Sequence, residues 1–180
     1  MRSIEEQGYS FHEWLTPEQI AKDVAQVADR ISADYADKEP LFVVVLNGAF
    51  VFAADLIRAL KNVRCEVTFI RVSSYWGMSS TGQLEFIVPL QQVVDNRDVI
   101  IIEDIVDTGL TIHQLKAHLR GLGATSVKVA SMLFKPGKLE YDDAKPDYVG
   151  HELTDEFVVG YGLDFDGFVR NLDAIYKVQE

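Results

Sequence analysis

The run Val99-Ile100-Ile101-Ile102-Glu103-Asp104-Ile105-Val106-Asp107-Thr108-Gly109-Leu110-Thr111 decides the fold, because it carries an apolar strand into an anion-binding turn by way of three carboxylates. Four consecutive β-branched residues predict a central strand covered on both faces, as in the parallel sheets of α/β proteins. The carboxylates then fall at its carboxyl end, which in open α/β sheets faces the ligand crevice. Ile112, Leu115 and Leu119 recur beyond it at helical spacing. Thr108-Gly109-Leu110-Thr111 is therefore the entry to a helix, where unpaired N–H groups and the positive end of the dipole suit a phosphate. Acids beside that phosphate would repel it, so Glu103 and Asp104 are better matched to sugar hydroxyls, a metal or a developing cation. A plain strand-turn-helix would need one capping residue, Asp107 or Thr108, and not three carboxylates.

Outward from this run, a length of 180 residues fits one domain with a substantial core, and 48% apolar with 25% charged residues describes a globular chain. Cys65 is the single cysteine, which excludes an intrachain disulfide and predicts a reduced, partly buried thiol in a cytoplasmic setting. The opening Met1-Arg2-Ser3-Ile4-Glu5-Glu6 lacks a basic-then-apolar export pattern, and the apolar runs 41–46 and 49–54 are too short to span a membrane. A formal net charge of −11 argues against a nucleic-acid surface. A polyphosphate substrate would then need local neutralisation, for which magnesium between carboxylates and substrate oxygens is the usual device.

Along the chain, Thr16-Pro17-Glu18-Gln19 is a capping box with proline at the first helical position, and Ile20, Val24, Val27 and Ile31 follow it. This predicts an amphipathic helix as the opening element. Residues 41–46 read as a buried strand ending at Asn47-Gly48, followed by a helix over about 50–60, a strand over 65–72 and an alternating strand at Leu84, Phe86 and Val88. The small polar stretch 73–82 between the last two is long enough to be a functional loop. The central run and its helix, ending near Gly121, lead to a strand over 127–134, with turns and the short strands 148–149 and 157–159 beyond. Gly121-Leu122-Gly123 follows a helix rather than a strand, so it reads as helix termination and not as a dinucleotide fingerprint.

Other chemistries lack their residues. His113 and His118 lie five apart and point to different helical faces, while His12 and His151 have no partner in sequence, so no zinc set forms. Neither a G-x-x-x-x-G-K phosphate loop nor a G-x-S-x-G nucleophile elbow occurs.

The central run resembles the ribose-phosphate signature of type I phosphoribosyltransferases, in the Glu-Asp, two apolar residues, Asp-Thr-Gly form of the hypoxanthine-guanine phosphoribosyltransferases. The likeness extends from about Leu41 to Asn171 and implies a type I phosphoribosyltransferase fold: α/β, with a mostly parallel sheet flanked by helices, a small hood formed by the terminal segments, and a mobile loop. It implies transfer of the phosphoribosyl group of phosphoribosyl pyrophosphate to a purine base, with Mg2+. Carried onto this chain, Glu103 and Asp104 would hold the ribose hydroxyls directly or through metal. Asp107, Thr108, Gly109, Leu110 and Thr111 would cradle the 5-phosphate, with Asp107 also the acid/base partner of the purine. Lys135 would meet the exocyclic oxygen of the base, Phe157 would stack on it, Val158 would offer backbone groups to its edge, and Asp164 would bind magnesium or its waters. Asn47, Gly48 and Arg170 would hold pyrophosphate, and Ser74-Tyr75 would lie in the loop that closes over the reacting centre.

One departure stands in the first loop, where the family has lysine and this chain has Leu46-Asn47-Gly48-Ala49. An amide in place of a cation removes a charge-assisted contact worth roughly 1.5–3 kcal/mol when fully made. The resemblance also implies a homodimer or homotetramer. A different reading remains open at this point: a regulator on the same fold that binds nucleotide and contacts RNA or DNA.

Overall fold

The computed structural model describes residues 2–74 and 84–179. In chain order the elements are β1 (Ser3–Glu6), β2 (Tyr9–Leu15), α1 (Pro17–Asp34), β3 (Leu41–Leu46), α2 (Phe50–Ala59), β4 (Glu66–Ser74), β5 (Leu84–Val88), β6 (Asp98–Val106), α3 (Leu110–Gly121), β7 (Ser126–Phe134), β8 (Tyr148–Glu152), β9 (Val158–Val159) and β10 (Ile175–Val178). Six strands make the main sheet in the order β5-β4-β3-β6-β7-β8, parallel except for β5.

The unbroken apolar runs in β3 and β6 are explained by burial on both faces. Phe42, Val44, Ile100 and Ile102 pack against α1 and α2, whereas Leu41, Val43, Val45, Val99 and Ile101 pack against Ile112, Leu115 and Leu119 of α3. Each strand therefore feeds two cores, and a polar residue on either side would lose its water without gaining a partner. The capping box is present: Gln19 N donates to Thr16 Oγ1 at 3.4 Å and Thr16 N to Gln19 Oε1 at 2.9 Å.

A second sheet has the order β1-β2-β10-β9 and is antiparallel throughout. Its own small core is Phe11, Val159, Ala174 and Tyr176. This corrects the expectation that α1 opens the chain, since a hairpin precedes it. The strands of this sheet are short or polar in pattern, and the β10 register shifts between Ile175 and Tyr176, so a period-2 signal is lost. The pair that holds the sheet together, β2 with β10, lies more than 150 residues apart in sequence.

In the main sheet β3 and β6 are neighbours, and from them the chain crosses outward in opposite directions, through α2 to β4 and through α3 to β7. The carboxyl ends of β3 and β6 thus flank a topological switch point, where the loops diverge and leave a crevice. Asn47-Gly48 and Glu103-Asp104 are the residues delivered there. Ile101 is fully buried and Ile87 half exposed. Ile101→Ala is expected to cost about 2–5 kcal/mol in urea unfolding, and Ile87→Ala much less; equal losses would contradict the two-faced burial of β6.

Candidate active site

Between β6 and α3 the backbone turns at Gly109, which has φ +84°. A Cβ there would stand 2.7 Å from Ala144 Cβ and 2.9 Å from Leu139 Cδ1, so conformation and space both require glycine. Thr108 Oγ1 accepts from Leu110 N at 3.4 Å and Thr108 O from Glu140 N at 2.9 Å. The N-cap of α3 is Gly109 and makes no side-chain cap hydrogen bond, so Thr108 tightens the turn rather than capping the helix. The short 3-10 turn Asp142–Ala144 supports it from outside, pinned to α3 by Lys116 Nζ donating to Asp143 O at 2.6 Å and by His113 Nδ1 at 2.7 Å from Asp143 Oδ1. Residues 103–112, with Val45 and Val72, line a cavity of about 260 Å³. A larger groove of about 520 Å³ between α1 and α2 has mostly aliphatic walls, including Ile20, Val24 and Val51, and does not hold this set of groups.

At the floor of the smaller cavity, Glu103 is 7% exposed and Asp104 partly exposed. Asp104 N donates to Glu103 Oε1 at 3.2 Å, and Ile105 N to Asp104 Oδ1 at 2.8 Å. Burial pushes both carboxyls up, Glu103 well above the ordinary range, with the adjacent Asp104 charge adding to the effect on Glu103. Arg170 is near enough to favour the Asp104 anion, but only slightly.

The loop after β3 lies directly on this pair. A Cβ on Gly48 would fall 1.5 Å from Asp104 Oδ2, so no side chain can occupy that position while the carboxylate stays where it is. The Leu46–Asn47 peptide is cis, and Asn47 is exposed. Behind the loop, Gly162 approaches so closely that a Cβ on it would be 2.2 Å from Gly48 O. Arg170 Nη1 donates to Gly162 O at 2.7 Å and Nη2 meets Asp164 Oδ1 at 2.6 Å, while Tyr161 OH donates to Asp55 Oδ2 on α2 at 2.7 Å. A continuous chain of contacts therefore runs from Asp104 through Gly48 and Gly162 to Arg170 and Asp164.

Asp164 does not complete a three-carboxylate cluster with Glu103 and Asp104. Its second oxygen accepts from Gly167 N at 2.7 Å, and among the described residues no group of three or more acids, histidines or cysteines is placed to hold a metal ion. An arginine competes for Asp164 and satisfies it, a preference that sequence spacing does not reveal.

On the other side of the turn, Lys135 follows β7 and is 7% exposed rather than solvated. Its N–H donates to Val106 O at 2.9 Å, and its ammonium lies 3.5 Å from Asp107 Oδ2 and 3.7 Å from Asp155 Oδ1. Phe157, 47% exposed, rests against Phe165 at 5.7 Å and Phe11 at 6.4 Å between ring centroids, which leaves surface for a flat ligand. Val158 is buried in β9. Ser74 closes β4, and Tyr75 lies outside the described residues.

Sequence reasoning passed over Asp155, Tyr161 and Gly162. The first is one acid in a polar turn, and the other two act through contacts with residues more than a hundred positions away. Only the positive φ implied by two glycines in Gly160-Tyr161-Gly162 hints at a tight turn.

Together these groups offer amide donors and a helix N-terminus for a phosphate, buried acids for a diol or cation, and an aromatic ring with a lysine for a planar, oxygen-bearing base. Known proteins agree with that inventory. The Phosphoribosyl transferase domain family matches residues 13–166. The hypoxanthine-guanine phosphoribosyltransferase of Bacillus subtilis (strain 168) is 41% identical over 162 residues, 89% of this chain and 89% of that protein, and its counterpart in Aquifex aeolicus (strain VF5) is 37% identical over 168 residues, 92% and 93%. The crystal structure of a hypoxanthine-guanine phosphoribosyltransferase from Bacillus anthracis superposes with a TM-score of 0.88 at 36% identity, covering 93% of this chain and 98% of that one. A hypoxanthine phosphoribosyl transferase of Trypanosoma cruzi also reaches 0.88, at 33% identity and coverage of 98% and 95%. The chain belongs to the phosphoribosyltransferase family and, within it, to the hypoxanthine-guanine phosphoribosyltransferases.

Proposed function

We propose that the protein is a purine-salvage transferase that moves the phosphoribosyl group of phosphoribosyl pyrophosphate onto hypoxanthine or guanine, releasing pyrophosphate. The observation that carries this reading is the joining of a buried acid pair to a phosphate-binding helix start at the switch point of the sheet, in a chain of this family. We read residues 1–180 as one domain, with the smaller sheet as its hood. The regulator reading is the weaker one: a net charge of −11 gives RNA or DNA little to bind.

In the reaction the bond from the anomeric carbon to pyrophosphate breaks as the bond to the purine nitrogen forms, through an oxocarbenium-like transition state. The turn from Asp107 to Thr111 anchors the 5-phosphate, and the Glu103-Asp104 carboxylates take the ribose hydroxyls and stabilise the positive charge above them. Asp107, exposed at the cavity edge, receives the purine ring proton. Phe157 stacks on the base, Val158 presents backbone groups and Lys135 meets the exocyclic oxygen. Arg170, Asn47 and Gly48 border the departing pyrophosphate, and Ser74-Tyr75 belong to the loop that excludes water.

Two carboxylates raised by desolvation, neither ion-paired to a lysine or arginine among the described residues, are chemically suited to a divalent cation. Magnesium is held by one or two carboxylates together with substrate oxygens, so Glu103 and Asp104 suffice from the protein, with Asp164 acting on its waters. Bound there, it would neutralise charge on the leaving pyrophosphate. We place the enzyme in the cytoplasm as a homodimer or homotetramer; no helix among the described residues is long and apolar enough to cross a membrane.

The test is an absorbance assay with phosphoribosyl pyrophosphate, magnesium and each nucleobase in turn. Turnover with hypoxanthine or guanine is expected, and none with any purine would overturn the function. Asp107→Asn should lower turnover by about 10²–10⁴-fold while leaving nucleotide affinity nearly unchanged; an unaltered turnover number would remove Asp107 from the proton step. A carboxyl raised in the fold adds stability that is complete below the ordinary carboxylate range and is lost as pH rises through the raised value. Glu103→Gln, which cannot ionise, is therefore expected to melt above the parent at neutral pH without divalent metal. The gap should close on acidification, and identical neutral-pH melts would count against a charged buried pair.

A further inference from the structure

The Lys135 ammonium is the most buried of four charged groups at the base side of the cavity, yet it makes the longest contacts. Its side chain is 9% exposed, against 48% for Asp107, 64% for Asp155 and 43% for Lys138. A sheltered ammonium facing one carboxylate closes to about 2.7–2.9 Å, because desolvation makes an uncommitted charge costly. Here it donates to Asp107 Oδ2 at 3.5 Å, the long end of the hydrogen-bond range, and stands 3.7 Å from Asp155 Oδ1, so it closes on neither. Asp155 meanwhile turns its other oxygen to Lys138 Nζ at 2.7 Å, and that lysine holds its carboxyl below the usual range, so Asp155 is anionic at neutral pH.

Backbone contacts fix this balance. Lys135 N is tied to Val106 O, one residue before Asp107, and Lys138 N donates to Lys135 O at 3.1 Å. The segment carrying Asp155 is pinned before it by Leu153 N donating to Phe134 O at 3.0 Å. After it, Glu156 accepts from Thr154 N at 3.0 Å and pairs with Lys177. Asp155 is therefore a placed carboxylate, two residues before the exposed ring of Phe157.

We infer that Asp155 is a positioning residue for recognition of the oxopurine edge: it draws the Lys135 ammonium away from Asp107, keeping the cation free for the exocyclic oxygen of the base and the Asp107 carboxylate free for the ring proton. Lys138 limits that pull by occupying one Asp155 oxygen. Without Asp155 the ammonium collapses onto Asp107, and an incoming base must break a closed ion pair before it can bind. This inference rests on Lys135 being the group that meets the base.

The experiment is steady-state kinetics on Asp155→Asn, Asp155→Glu, Lys135→Ala and the Asp155→Asn/Lys135→Ala double variant, with KM measured separately for the base and for phosphoribosyl pyrophosphate. Asp155→Asn is expected to raise KM for hypoxanthine and guanine about three- to fivefold, the size of effect one exposed ion pair carries. KM for phosphoribosyl pyrophosphate should stay at the parent value, and Asp155→Glu should restore the base KM. In the Lys135→Ala background, Asp155→Asn should add nothing, since the group it positions is gone. An unchanged base KM in Asp155→Asn, an equal rise in both KM values, failure of glutamate to rescue, or a full additional effect in the double variant would each overturn the role of Asp155. If Lys135→Ala itself leaves base KM and purine preference untouched, the underlying reading of Lys135 falls instead.

Discussion

Everything at the catalytic end depends on β3 and β6 lying side by side. Their parallel register, from Leu41 opposite Val99 to Val44 opposite Ile102, brings the loop after one strand onto the acids of the other. The contact between Gly48 and the Asp104 carboxylate is the point where that register becomes chemistry. It needs both strands to be buried on two faces, because a slip of one residue would exchange the two cores and turn the acids away. The apolar runs of β3 and β6 thus fix more than stability, and the site inherits its geometry from them.

The electrostatics follow from the same packing. A chain with a net charge of −11 places two of its acids where water is scarce, and among the described residues neither is ion-paired to a lysine or arginine. Nearby acids have been given cations: Asp164 has Arg170, and Asp155 has Lys138. The contrast divides the carboxylates into those held in place by the protein and those left for something that arrives from solution. Lys135, between Asp107 and Asp155, stands on the boundary between the two groups.

Local patterns carried the main sheet. The capping box at Thr16, the runs of β3 and β6 and the turn at Gly109 could be read from sequence because their signals lie within one or two helical turns or a single strand. Of the smaller sheet only β9, inside the expected strand 157–159, could be read this way, since β2 and β10 stabilise each other across almost the whole chain and neither shows a clean alternation. The acids at the end of β6 were legible for the same local reason, whereas the contacts of Asp155 and the pairing of Asp164 depend on three-dimensional neighbours. Even Lys135, which spacing alone would leave in solvent, is buried because the chain returns over it after β8.

The smaller sheet has a bearing on how the protein comes into being. β9, which carries Val158, is bonded edge to edge with β10, and β10 is the bridge to the amino-terminal hairpin. A ribosome synthesises β10 more than sixty residues after the turn at Gly109. The main sheet and the turn at Gly109 can thus consolidate early, while the smaller sheet waits for β10 to join β9 to the hairpin.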